Sequence, residues 1–341
     1  YPGPACYGKG GKEPTTTDAN LILGRLSTRG LLDGDMRLDR ELALKAYQPI
    51  ADRLNFSVEK TAQGMLGIVV ANMVRTIRTI SIERGHDPRD FVLMPFGGAG
   101  PLHARDVAVN LGIKEMVVPA APGIVCAQGL LVSDLKEDFV ESRRIEMTSS
   151  GMEALSEILK ELNFKAQEWF FSEGASPEGR RLQLLVDARY VGQNFELAVP
   201  IASGESLFTD DIFNPNSLIK AFCEAHDQAY GYSSDTDPVE IVNVRLSASA
   251  RLHNFEQNSA LPINAPKEEL VLRDTRLVYF DDKDPVETLV YSRDELKPGQ
   301  RIEGPAILEQ MDTTTPVYPH DIAEVTTEGH LIITIFPGAF K

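Results

Sequence analysis

Phe91-Val92-Leu93-Met94-Pro95-Phe96-Gly97-Gly98-Ala99-Gly100-Pro101-Leu102-His103-Ala104 is the stretch from which the fold is read. Six residues that are apolar or proline predict a short buried strand. Gly97 to Gly100 predict a tight turn, since glycine lets the chain bend and approach other groups closely. Pro101 fits the first turn of a helix, where its missing N–H does no harm. Leu102, Ala104, Val107, Ala108 and Leu111 then recur at helical spacing up to Gly112. The plan repeats at once, with Met116-Val117-Val118-Pro119 as strand, Ala120-Ala121-Pro122-Gly123 as turn and a helix to about Asp134. Consecutive strand–turn–helix units predict an α/β fold with a parallel or mixed sheet.

Upstream, Gly3, Gly8, Gly10 and Gly11 mark a loop, and Asp18 is placed to cap a short helix beginning near Leu21. A helix is predicted over 39–54. A longer one, Ser57 to Gly85, follows from Ala62, Met65, Leu66, Val69, Met73, Ile77 and Ile80. Gly64 and Gly67 inside it cost near 1 kcal/mol each, which points to close packing against another element. Downstream, a strand over Lys136–Met147, a helix over Ser150–Ser172, a hairpin over 181–200, a helix over Ser217–Tyr230 and a strand over Val239–Leu252 predict an α+β domain. A Pro-rich connection at Leu261–Pro266 leads to a tail of short strands. The expected domains are 1–135, 136–260 and a β-rich module at 261–341.

The chain has 341 residues, a length for two or three domains. With 43% hydrophobic residues it can bury a sizeable core, so global disorder is excluded. A net charge of −16 excludes non-specific nucleic-acid binding, which needs Lys and Arg to displace counterions. No run approaches the roughly 18 apolar residues of a membrane span, and no secretory leader is recognised. Cys6, Cys126 and Cys223 are too few and too scattered for a disulfide framework or a zinc site. A reducing, cytoplasmic setting is expected. The chain opens without Met, directly in a glycine loop, and is expected to be a fragment of a longer protein.

The Gly97–Gly100 turn is the best-defined candidate site, because the helix after it offers unpaired N–H groups and a positive dipole end. A tight turn holding no ligand explains the same residues equally well. Neither a dinucleotide fingerprint nor a P-loop fits. Lys9 and Lys12 flank the first glycine loop, where an anion or plain surface structure is expected. The six histidines show no metal spacing, so no metal site is assigned. His103 is expected on the helix surface or supporting a site. Cys126 and Cys223 are expected to be buried and inert. Glu309-Gln310-Met311-Asp312-Thr313-Thr314-Thr315 is dense in oxygen ligands, and a strand followed by a turn accounts for it.

Several stretches together resemble the hydantoinase A / 5-oxoprolinase family. They are Gly3–Gly8 followed by Glu13–Leu21, Phe96–Ala104, Arg189–Gln193, His226–Tyr232 with Val239–Asn243, and Gly304–Ile307 with Glu309-Gln310 and Asp312–Thr315. They lie in family order from end to end. The resemblance implies part of an actin-like (ribonuclease H-like) ATPase fold followed by an α+β domain and a β-rich C-terminal module. It implies ATP and Mg²⁺ as cofactors. ATP phosphorylates an oxygen of the substrate, and a cyclic amide such as a hydantoin or 5-oxoproline is then opened. Related subunits serve in acetone-type carboxylases, and a non-catalytic nucleotide-binding or scaffolding subunit is a further alternative. A hydantoinase B-type partner and an oligomer are implied. Gly97, Gly98, Ala99 and Gly100 match the adenosine-contacting turn, and Gly8, Gly10 and Asp18 are placed towards the cleft. The family's Asp-Gly-Gly-Thr phosphate motifs are missing, since Asp33-Gly34 does not qualify. This chain therefore resembles the C-terminal part of such a subunit, without ATP hydrolysis of its own. No catalytic residue is assigned.

Overall fold

A computed structural model describes residues 2–204, 207, 214–251, 270–281 and 284–340. The chain divides into two compact units. The first holds 1–82, 86–128 and 258–341, and the second holds 83–85 and 129–257.

The first unit opens with α1 (Thr16–Ile22), α2 (Arg40–Leu54), α3 (Val58–Ile80) and α4 (Gly100–Leu111). Local chemistry fixes their starts. Thr15 caps α1, with Asp18 three residues on completing a reciprocal capping box. Asp39 caps α2 by accepting from Glu41 and Leu42 N–H, and Ser57 caps α3. Along α3 the buried residues Ala62, Leu66, Val70 and Val74 are four apart, one stripe facing α1, α2 and α4. Gly112, at φ 74°, ends α4 in the left-handed conformation that glycine tolerates best.

After α4 come β1 (Glu115–Val118) and α5 (Val125–Val132). The second unit then runs β2 (Leu135–Glu146), α6 (Ser149–Ser172), β3 (Arg180–Tyr190), β4 (Leu197–Gly204), α7 (Pro215–Tyr230) and β5 (Val239–Ala250). Its antiparallel sheet has the order β2-β5-β3-β4. Leu155, Leu159, Leu162 and Phe170 of α6 and Phe222 of α7 bury against Leu184, Val186, Ile241 and Val244 of the sheet. This is the α+β arrangement that the sequence predicts, element for element. The predicted connection at Leu261–Pro266 lies outside the described residues.

The tail returns to the first unit as β6 (Leu272–Val278), β7 (Val286–Ser292), β8 (Arg301–Glu303), β9 (Ala306–Glu309), β10 (Thr314–Val317), β11 (Ile322–Val325) and β12 (Leu331–Thr334). Here the structure departs from the sequence-based division. β1 pairs antiparallel with β12, Glu115 opposite Thr334 and Val118 opposite Leu331, in a sheet ordered β1-β12-β11-β8. The tail thus shares a core with α3 and α4, in which Val74, Val107 and Leu111 meet Ile302, Val325 and Ile333. A second sheet is ordered β10-β9-β7-β6, with β7 and β9 parallel.

Other expectations are corrected. The run 91–96 is not a buried strand: Phe91, Val92, Met94 and Phe96 are 48–55% exposed. Pro95 has no N–H to donate, and only Leu93 bridges, parallel, to Met116. Most pairing is antiparallel, and the sheet β10-β9-β7-β6 is mixed, within the parallel or mixed arrangement that consecutive strand–turn–helix units suggest. Asp18 is not the N-cap of α1 but its third residue, the cap being Thr15. Cys126 is exposed and Cys223 half-buried. His103 is buried rather than on the helix surface. The stretch Val58–Arg84 is long and apolar enough for a membrane span by composition, with a mean hydropathy of 1.4 over 18 residues.

Burial keeps His103 below its ordinary pKa of 6.5; the Arg25 charge adds to this and Asp106 opposes it. The unfolded chain therefore takes up this proton near the ordinary value, while the folded chain resists it. The stabilisation is complete above that value and is lost as the pH falls towards the depressed one. We expect the urea midpoint to drop between about pH 7.5 and about pH 5.5, and His103→Leu to flatten that dependence.

Candidate functional site

Three turns of the first unit meet. In the first glycine turn, Gly97 has φ 81°, and its N–H donates to the Pro122 carbonyl of the second glycine turn at 2.7 Å. The third turn joins β9 to β10 through Gln310–Thr313, closed by Gln310 N–H on the Thr313 carbonyl at 3.0 Å. It grips both others. Thr313 Oγ1 donates to the Gly98 carbonyl at 2.8 Å, Gly123 N–H donates to Asp312 Oδ2 at 2.8 Å, and Gln310 Nε2 donates to the Ala120 carbonyl at 3.1 Å.

Packing explains two of the glycines. A Cβ on Gly123 would lie 2.3 Å from Asp312 Oδ2 and 2.7 Å from Asp312 Cβ. One on Gly98 would lie 3.0 Å from the Asp312 carbonyl oxygen. Gly97 has open space instead, so its glycine answers to φ alone.

Arg293 braces the arrangement from beneath. It is buried, and Nη2 donates to the Val118 and Pro119 carbonyls at 3.1 and 2.7 Å. Burial lowers its pKa to about 10, against the opposing pull of Asp312 and Asp294. Arg293 Nη1, Asp312 Oδ1, Gln310 Oε1 and Thr315 Oγ1 are buried without hydrogen-bond partners among the described residues. Buried polar atoms rarely stay unpaired in a finished site.

The first glycine turn and the β9–β10 turn wall a cavity of about 430 Å³. Gly98, Ala99 and Leu102 line one side and Glu309–Thr314 another, with Tyr7, Thr17, Arg29 and Arg273 completing the rim. The size falls within the range of small-molecule and cofactor pockets. The Gly98–Leu102 edge includes the start of α4, so ligand oxygens there meet a helix N-terminus. Both acids on the wall are engaged, Glu309 with Arg276 at 2.6 Å and Asp312 with Gly123 N–H. This lining is equipped to hold and orient a ligand by hydrogen bonds and apolar contact.

Of the expected site residues, the structure brings Gly98 and Ala99 to the cavity, with Gly97 and Gly100 in the same turn. Gly8, Gly10 and Asp18 are not in the lining. Asp18 is fully buried and spends its carboxylate on the chain itself. Oδ1 accepts from Cys6 N–H at 2.7 Å; Oδ2 accepts from Ala5 N–H at 3.2 Å, Thr15 N–H at 2.9 Å and Thr15 Oγ1 at 2.7 Å. Burial, and then the Asp18 carboxylate, push the neighbouring Cys6 thiol well above the ordinary thiol range, so Cys6 is no nucleophile. Sequence reasoning missed Tyr7, Thr17, Arg29 and Arg273, which reach the cavity only through the fold. It noticed the oxygen-rich Glu309–Thr315 but not its grip on the glycine turns. Among the described residues, no three His, Cys, Asp or Glu side chains group as a metal site.

Residues 1–139 match the hydantoinase/oxoprolinase family, and residues 143–335 match the hydantoinase/oxoprolinase C-terminal domain. The chain is 35% identical to caprolactamase subunit alpha of Pseudomonas jessenii over 93% of its length. It superposes on the crystal structure of ATP-dependent caprolactamase from that organism with a TM-score of 0.83, covering 98% of this chain and 48% of that one. It is 30% identical to 5-oxoprolinase of Saccharomyces cerevisiae over its full length, covering 27% of that protein. It is also 30% identical to the acetophenone carboxylase gamma subunit of Aromatoleum aromaticum over 97% of its length. The chain spans about half the length of the caprolactamase and carboxylase subunits. With both of its parts matched in order, the chain belongs to the hydantoinase/oxoprolinase family.

Proposed function

We propose that this chain is the C-terminal part of an ATP-dependent subunit that opens cyclic amides, and that the cavity beside Gly98 contacts the nucleoside. The observation that carries this reading is the Gly97–Gly100 turn, held rigid by Pro122 and Thr313 at the mouth of a 430 Å³ cavity. The caprolactamase likeness supports the substrate class. In this reading the turn and cavity form the nucleoside side of an actin-like ATPase.

The residues present fit a nucleoside better than a triphosphate. Glycine backbone allows close approach, and Tyr7, Leu26 and Leu102 offer apolar surface. Phosphate and Mg²⁺ ligands belong to the part of the subunit beyond this chain. Bound ATP would supply the phosphoryl group that, placed on the amide oxygen, makes the carbonyl carbon a better electrophile for water, with the ring nitrogen as the group that departs. The chain's own task is to fix the nucleoside end, so that binding energy is used for orientation. Gly97 and Gly98 present the wall, while Asp312 and Thr313 keep it in place. A hydantoinase B-type subunit acts as partner, in an oligomer of cytoplasmic location.

The test is ATP turnover by the complete subunit with its B-type partner. Caprolactam, 5-oxoproline and hydantoins are offered in parallel with ketones plus bicarbonate. Stimulation by a cyclic amide is expected. Stimulation only by ketone plus bicarbonate would place the protein with the carboxylase subunits. Nucleotide binding with no turnover would make it a scaffolding subunit.

A further inference from the structure

Helix α3 is out of balance with water. Its most apolar 18-residue window has a mean hydropathy of 1.4, yet only 11% of that window is buried. One stripe packs inward, as described above. The outward side carries Gly64, Gly67, Ile68, Ala71, Arg75 and Arg78, with Ile68 63% exposed. A Cβ on Gly64 or Gly67 would meet nothing within 4 Å. The close packing that the sequence predicts for these glycines is therefore not supplied by the described residues. Each glycine still costs the helix near 1 kcal/mol. Small residues one turn apart leave room for another helix backbone to approach closely.

A groove of about 520 Å³ runs beside this face, lined by Lys60, Gly64, Gly67 and Ala71 of α3 and by Arg25 and Asp106. Arg25 is 3% exposed, and among the described residues its Nη1 has no hydrogen-bond partner. Asp106 Oδ2, at 3.6 Å, provides charge but no hydrogen bond to it. Arg25 thus lines the groove while one of its buried guanidinium nitrogens lacks an acceptor among the described residues.

We propose that this groove receives a helix from the remainder of the hydantoinase A-type subunit. That helix lays small or flat side chains on Gly64, Gly67 and Ala71 and brings an acceptor, a carboxylate or helix-end carbonyl, to Arg25. The length relation supports this occupant. The solved caprolactamase chain carries the same fold over 48% of its length and about as much polypeptide again beyond the match. Along α3 itself, Lys60, Arg75 and Arg78 stand against the single acid Glu59; within the groove, Arg25 and Lys60 are balanced by Asp106 and Asp281. A bilayer is a poorer occupant, since Arg25, Lys60, Asp106 and Asp281 of the lining would have to enter hydrocarbon. The proposal rests on family membership and is independent of the nucleoside reading.

The test is hydrogen exchange of α3 read by mass spectrometry. It is followed in this chain alone over a range of concentrations, with anionic phospholipid vesicles, and with the separately produced part of caprolactamase subunit alpha that this chain does not match. The added part is expected to slow exchange over residues 61–80 about tenfold or more, as for a surface that becomes buried. Gly67→Leu, which fills open space and leaves the fold intact by circular dichroism, is expected to weaken that association about tenfold. Phe195→Ser, at an exposed site of the second unit, leaves it unchanged. Three results would each overturn the proposal. They are no protection by the added part, protection only by vesicles, or protection that tracks the chain's own concentration.

Discussion

Asp18→Ala is expected to lower the unfolding free energy by about 4 kcal/mol, because it leaves buried donors without acceptors. The carboxylate is fully buried and accepts four hydrogen bonds, from Ala5, Cys6 and both donors of Thr15. Removing it orphans the Ala5 and Cys6 N–H groups inside a core that also holds Leu21, Leu23 and Tyr47. The capping box of α1 goes with it. Each orphaned donor costs about 1–3 kcal/mol, and the lost cap adds about 1. Asp18→Asn keeps one acceptor but turns an NH₂ towards donors, so it recovers less than half of the loss. Urea unfolding of this chain measures both. A loss below about 1 kcal/mol for the alanine variant would contradict the structural role given to Asp18.

Gly123→Ala should have the largest effect on the candidate site. The added methyl lies where Asp312 stands, at 2.3 Å from Oδ2 and 2.7 Å from Cβ, so the Gly123–Asp312 bond must break. Overpacking of this kind costs about 1–3 kcal/mol. The consequence for binding follows from connectivity, because Pro122 of the same turn holds Gly97 N–H and Thr313 of the Asp312 turn holds the Gly98 carbonyl. Nucleotide affinity of the complete subunit is expected to fall about tenfold or more, as for a misplaced positioning element. Asp312→Gly in the same molecule removes the obstacle. It is expected to return part of the stability lost in Gly123→Ala, a coupling of about 1 kcal/mol or more. Strict additivity of the two substitutions would mean that the turns are not in contact.

The second unit was legible because its elements alternate or recur with one period and pack within one stretch of chain. Leu155, Ile158, Leu159 and Leu162 mark α6, and the alternating runs Arg180–Tyr190 and Val239–Ala250 became β3 and β5. The first unit was harder, since its decisive pairings are distant. β1 finds β12 more than 200 residues later, which no local pattern announces. Phe91–Phe96 misled because an apolar run looks the same whether it faces a core or a surface awaiting cover. Of the site, Gly98 and Ala99 were visible as a glycine turn. The reason for Gly98 and Gly123 was not, because it lies in Asp312, 214 and 189 residues further on. Asp18 was legible as a helix-start carboxylate, while its place towards a cleft came from the resemblance alone; its carboxylate is spent on Ala5, Cys6 and Thr15. A carboxylate three residues after a threonine at a helix start is also the pattern of a capping box.

The central claim is that nucleotide is held at the first glycine turn in a subunit that opens cyclic amides. Hydrogen exchange of the complete subunit, with and without a non-hydrolysable ATP analogue, tests it most directly. The account predicts slower exchange at 97–102 and 310–314 together, the two walls of the cavity, deepened when a lactam is added. Saturable analogue binding that leaves both segments unchanged would contradict it.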